Sequence, residues 1–136
     1  MENLDTLSKI FENLDLCSEI LTYCSTNKSI RKICEEREIQ LIIANKLREN
    51  ANELIQALEG DIRFYEFHLD QPWVSGQQAE VAYSMGPLAE QNLPKIRKTL
   101  EMIEDDLSLK ELKRLCSDIV KIKHERDSEM ARAMGF

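Results

Sequence analysis

The stretch LPKIRKTLEMIEDDLSLKELKRLCSDIVKI, residues 93–122, decides the fold class. Leu93, Ile96, Leu100, Ile103 and Leu107 recur at steps of three and four, which puts them on one stripe of a helix. Ser108 to Glu111 (SLKE) then has the form of a capping box, which starts a second helix with Leu112, Leu115, Cys116, Ile119 and Ile122 turned inward. Two helices joined this tightly make an antiparallel helical hairpin.

A hairpin alone buries little, so a third helix of similar length must cover it. The candidate lies upstream. From Ile43 the apolar residues Leu47, Ala51, Leu54, Leu58, Ile62, Tyr65 and Leu69 follow at helical steps. Gly60 interrupts them at a cost of roughly 1 kcal/mol against alanine, tolerable in a packed helix. Between the long stripes DQPWVSGQQ reads as a loop, since Pro72 disfavours helix at Gln71. Ser75 to Gln78 reads as a capping box for a short helix through Tyr83, and MGP (residues 85–87) is expected to break the chain again. Trp73 is expected to anchor the loop on the core, the alternative being that the loop lines a pocket with it. The tail KHERDSEMARAMGF is either a solvated extension or a docking end.

Towards the N-terminus the elements shorten. LDTLSKIFENLDL carries Leu4, Leu7, Ile10, Phe11 and Leu14 at helical spacing. A second helix holds Ile20, Leu21 and Cys24. A third begins near Ser29, capped by Thr26 or Asn27, with Ile30, Ile33 and Cys34 on one side and Arg31 and Lys32 on the other. After EERE the apolar face jumps by about half a turn, so the helix ends there or both faces are covered.

The bulk properties agree with an all-α protein. Of 136 residues 43% are apolar but only 6% aromatic, with four glycines and three prolines. Helices use such straight-chain residues, whereas β-sandwiches need frequent turn residues. The organisation expected is a small three-helix unit over residues 1–40 and a bundle of longer helices over 41–136, with one continuous domain as the alternative.

Charge and motifs narrow the function. A net charge of −7 disfavours general nucleic-acid binding, although TNKSIRK offers a small basic patch. No apolar run reaches the roughly 18 residues that cross a bilayer, and the acids within MENLDTLSKIFENL are unlike a signal peptide. Cysteines 17, 24, 34 and 116 lack metal-ligand or secreted-scaffold spacing, so free thiols are expected and no metal. His68 and His124 show no paired histidine and no sequence sign of activating a cysteine nucleophile. The sequence has no GxSxG, Walker or GxGxxG motif, and the acids of EERE and EMIEDD fall where solvated helix faces are expected. The expectation is a non-enzymatic chain without a cofactor.

LSKIFENLDL followed by CSEILTYCSTNKSIRKICEE resembles an F-box motif, a three-helix unit. The matching positions are Leu7, Ile10, Phe11, Leu14, Asp15, Leu16, Ile20, Leu21, Cys24, Arg31, Ile33 and Cys34. The wording looks like the F-box-like segments of short proteins in large DNA viruses. The likeness covers roughly residues 4–40. The family's usual Leu-Pro opening is Glu2 and Asn3 here, and REIQLI lacks the tryptophan often found after the third helix.

The resemblance implies a unit that presents an apolar face to the Skp-type adaptor of a cullin ubiquitin ligase, while the bundle holds a client. Leu7, Ile10, Phe11, Leu14, Leu16, Ile20 and Leu21 would be the partner-binding residues. Each fully buried aliphatic contributes about 1.5–3 kcal/mol before association costs. The alternative is a helical structural or assembly protein, such as a minor virion component, in which the same residues are core. Either suits the cytoplasm or a particle assembled there.

Overall fold

The computed structural model describes residues 4–73 and 76–136. Among these residues the chain forms six helices and is all-α: α1 (Leu4–Asn13), α2 (Cys17–Cys24), α3 (Lys28–Cys34), α4 (Arg37–Asp70), α5 (Gln77–Glu101) and α6 (Leu109–Ala133).

The expected hairpin is α5 and α6. Ser108 begins α6 as foreseen: its hydroxyl accepts the Glu111 N–H at 3.2 Å and donates to Glu111 Oε1 at 3.0 Å. At the far end Gly135 takes φ +88°, and the N–H groups of Gly135 and Phe136 reach the carbonyls of Arg132 and Ala131. That left-handed cap ends the helix. The tail is thus the end of α6, from Lys123 to Ala133, and the cap that follows it.

The third helix is α4, at 34 residues about 50 Å long. Cross-links fix its direction. Arg48 donates to the Ile103 carbonyl, Glu59 pairs with Arg97, and the Tyr65 and Tyr83 rings meet edge to face at 6.0 Å. Rising numbers on α4 meet falling numbers on α5, so the two are antiparallel. Asn92 to Glu125 and Gln77 to the Met134 carbonyl set the same relation between α5 and α6. Leu47, Ala51, Leu54, Leu58, Leu93, Ile96, Ile103, Leu112, Leu115, Cys116, Ile119 and Ile122 are buried between the three.

MGP does not break the chain. α5 runs through both Pro87 and Pro94. Each proline lacks the N–H that would bond the carbonyl four residues back, but both lie on the exposed side where water reaches those carbonyls. Gly86 faces inward instead: a Cβ built on it would lie 2.1 Å from Tyr65 Cγ. The aromatic ring rests on bare backbone, and this packing overrides local helix propensity. The short helix expected through Tyr83 is therefore the start of a 25-residue one. Ser75 of the expected capping box lies outside the described residues, and Gly76 is the N-cap at φ +111°.

The short helices sit where expected. Of the two candidate caps for α3, Asn27 performs the role, its Oδ1 accepting the Ile30 N–H at 2.9 Å. The jump in apolar face after residue 34 is a helix end, since α3 stops at Cys34 and α4 restarts at Arg37. One apolar cluster runs from Leu7 to Ile122, across the expected 40/41 boundary.

The cysteines are not free thiols. Cys17 bonds Cys116 across 99 residues of sequence, and Cys24 bonds Cys34 across 10. Their Cα–Cα distances of 6.1 and 5.9 Å are those of ordinary disulfides. Spacing along the chain misled because the first pair is made by tertiary packing of α2 on α6.

Trp73 does not anchor the loop on the core either: it is 75% exposed.

Candidate interaction surfaces

The seven residues expected to bind a partner divide in two. Leu7, Phe11, Ile20 and Leu21 are buried within the protein's own core, while Ile10, Leu14 and Leu16 are half-buried. Helical spacing places Leu7 and Phe11 on one side of α1, turned towards α4. Phe11 meets Tyr23 of α2 edge to face at 5.7 Å.

Polar groups hold this unit down. The buried Asn50 of α4 donates through Nδ2 to the Asp15 carbonyl and accepts the Cys17 N–H through Oδ1, both at 2.8 Å. The Leu16 N–H donates to Glu19 Oε1 at 3.0 Å, so the Asp15 carbonyl and the Leu16 N–H, both in the link between α1 and α2, have side-chain partners. The Cys17–Cys116 bond then ties the same point to α6. Nothing in the sequence spacing marked Asn50, because a buried asparagine in a long polar-and-apolar helix looks like any surface one.

Beside Leu16 lies a cleft of about 310 Å³ between α4 and α6. Leu54, Ala57, Ile119 and Val120 line it, with Glu53, Lys123 and Asp127 at the rim. Asp61 and Arg126 bridge the same two helices through two hydrogen bonds, of 2.8 and 3.1 Å. The hydrogen bond to Asp61 outweighs burial and raises the Arg126 pKa, so the guanidinium stays charged. Near the C-terminus the hydrogen bond from Arg132 lowers the pKa of Glu129. Lys28, Arg31 and Lys32, the basic residues of the expected patch, are exposed on α3.

The opposite end of the bundle, where α4 and α6 finish and α5 begins, is different in kind. Phe64, Phe67, Leu69, Trp73, Tyr83 and Met134 are all more than a third exposed there. Leu69 was expected inside. The inward face of the last turns instead carries Asp61 and His68, seven residues apart and so nearly in line along the helix. His68 is 2% exposed, with the rings of Phe64 and Phe67 edge-on at 4.6 and 5.3 Å. Neither of its ring nitrogens has a hydrogen-bond partner among the described residues. The Tyr83 hydroxyl donates to the His68 backbone carbonyl at 3.2 Å.

Among the described residues no group of three or more His, Cys, Asp or Glu side chains is placed to hold a metal. Nor is any of their helices long and apolar enough to cross a membrane. No protein-family model, curated protein or solved structure matches the chain.

Proposed function

We propose that this chain is a non-enzymatic helical assembly protein, a small component that packs against neighbouring proteins, as a minor constituent of a virus particle does. The observation that carries this reading is how its apolar surface is used. Leu7, Phe11, Ile20 and Leu21 are at most 7% exposed, and Asn50 and the Cys17–Cys116 bond hold their helices in place. A partner meets those four side chains only after the N-terminal unit is pulled away. Six large apolar side chains at the other end are uncovered in the folded chain, more than scattered surface residues require. Paired, buried cysteines also favour maturation in an oxidising environment over the cytosol where a Skp-type adaptor works.

A second reading rests on the three short helices at residues 4–34 and the half-buried edge Ile10, Leu14 and Leu16. In it, a Skp-type adaptor meets that edge and the bundle holds a client for ubiquitination.

Two measurements separate the readings. Purified oxidised protein is titrated with a purified Skp-type adaptor by calorimetry, and gently lysed source material is sedimented to see whether the chain travels with a larger particle in fixed ratio. The assembly reading expects no heat and co-sedimentation. Stoichiometric adaptor binding that Ile10→Asp abolishes, in a variant still fully helical, would establish the second reading instead.

A further inference from the structure

The two disulfides stand in different electrostatic settings. Cys17 is the first residue of α2, whereas Cys24 is the last residue of α2 and Cys34 the last of α3. A helix favours negative charge at its start and disfavours it at its end, so a thiolate forms more readily at Cys17 than at Cys24 or Cys34. Glu19, the acid in that first turn, is exposed to water and accepts the Leu16 N–H. Cys116, the partner of Cys17, lies inside α6 and forms part of the wall of an open depression of about 320 Å³ between α2 and α6. Ser18, Thr22, Ser25, Lys113 and Ser117 also line it, and among the described residues Lys113 is the one charged side chain in that wall. Lys113 precedes Cys116 by three positions, which puts both on one face of α6. It is half-buried and makes no ion pair among the described residues. Cys24 and Cys34 are 1% and 0% exposed.

We propose that Cys116 is a thiol-exchange site, and that the Cys17–Cys116 bond is a latch opened by an anionic low-molecular-weight thiol while the Cys24–Cys34 bond stays closed. The thiolate enters the depression beside Lys113 and attacks Cys116 Sγ. A mixed disulfide forms there, the bond to Cys17 breaks, and its electron pair leaves on Cys17 Sγ, which takes a proton from water. A second thiolate attacks the sulfur of the bound thiol and departs as that thiol's own disulfide, leaving Cys116 to be protonated in turn. Two thiols are oxidised and one protein disulfide is reduced. α2 is then held to α6 by packing alone, so the chain is locked where thiols are scarce and loosened where they are abundant. This latch goes beyond the assembly reading and holds under either reading of the chain.

The test exposes the full-length oxidised protein, without denaturant, to mercaptoethanesulfonate, an anionic thiol, or to cysteamine, a cationic one. Each rate is divided by that thiol's rate on a small neutral disulfide, which removes the difference in intrinsic reactivity. Samples are quenched with N-ethylmaleimide and the modified cysteines located by mass spectrometry. The Cys17–Cys116 bond should open at least tenfold faster than the Cys24–Cys34 bond, with the mixed disulfide on Cys116 and the maleimide on Cys17. The anionic thiol should be at least threefold faster than the cationic one, a preference that falls as salt rises. Lys113→Gln should abolish the preference, while Lys121→Gln, exposed elsewhere on α6, should keep it. Protein opened at Cys17–Cys116 alone should melt about 10 °C or more below the oxidised protein. Circular dichroism confirms that each variant is folded.

Equal rates for the two disulfides, the Cys24–Cys34 bond opening first, or the mixed disulfide on Cys17 would overturn the proposal. So would equal normalised rates for the two thiols, a preference that survives Lys113→Gln, or an unchanged melting temperature after the first bond opens. Any of these results leaves the assembly reading untouched, since co-sedimentation with a particle decides that separately.

Discussion

Asn50 grips the residues on either side of Leu16: its Oδ1 takes the Cys17 N–H and its Nδ2 reaches the Asp15 carbonyl, each at 2.8 Å. One side chain on α4 thereby replaces the water that a link between helices would otherwise require. Asn50→Ala should cost about 1–3 kcal/mol for each backbone group left unpaired, read by urea denaturation. Asn52→Ala, on the exposed face two residues on, should change stability by less than about 0.5 kcal/mol. Equal effects would mean the link needs no clamp.

The glycines of α4 and α5 should respond to alanine with opposite signs. At Gly60 the nearest atom to an added Cβ is the end of the flexible Arg63 side chain at 3.8 Å, so Gly60→Ala should stabilise by about 0.5–1 kcal/mol. At Gly86 the Cβ meets the Tyr65 ring at 2.1 Å, and overpacking should destabilise by about 1–3 kcal/mol or more despite the better propensity. Adding Tyr65→Ala to Gly86→Ala should show strong coupling in a double-mutant cycle.

Those two positions show how far the sequence could be read. The helical stripes at 43–69, 93–107 and 112–122 follow from spacing, because a core face must recur every three or four residues. Asn27 and Ser108 were legible as caps from their local chemistry. Gly86-Pro87 was not legible as helix interior, since both residues oppose helix locally and a ring 21 positions upstream decides the matter. Leu69 and His68 exchanged places for a related reason: steps of three or four admit either, and the packing of the last turn chooses. The disulfide from Cys17 to Cys116 and the clamp at Asn50 join distant segments, and spacing carries no such information. That Leu7 and Phe11 are buried was not legible either, because helical spacing marks an apolar face without saying what covers it.

Asp61 and Arg126 are 10% and 23% exposed at their side chains, so the pair is largely sheltered from water. Asp61→Ala leaves a sheltered guanidinium alone and should cost about 1–3 kcal/mol in chemical denaturation. Replacing both with leucine should recover most of that loss, as apolar replacements of buried ion pairs often do. A double variant no more stable than the single one would contradict this.

Reaction with a thiol reagent in denaturant without reductant should find no free thiol, all four cysteines being paired. Removing the Cys17–Cys116 bond as Cys17→Ser with Cys116→Ser should cost about 4–5 kcal/mol by loop-closure entropy, against about 3 kcal/mol for the Cys24–Cys34 pair. Four reactive thiols in protein purified without reductant would refute the pairing.

The measurement closest to the central claim is the unfolding of Phe11→Ala in the full-length oxidised protein, followed by circular dichroism and by hydrogen exchange along the chain. Phe11 is wholly buried in the cluster that also holds Leu47, Leu115 and Ile119. Its loss should therefore lower stability by about 3–5 kcal/mol in one transition that includes α5 and α6. A change below about 0.5 kcal/mol, or exchange rising in residues 4–34 alone while the bundle keeps full protection, would contradict a shared core. The N-terminal helices would then be a separate unit with its apolar face free for an adaptor.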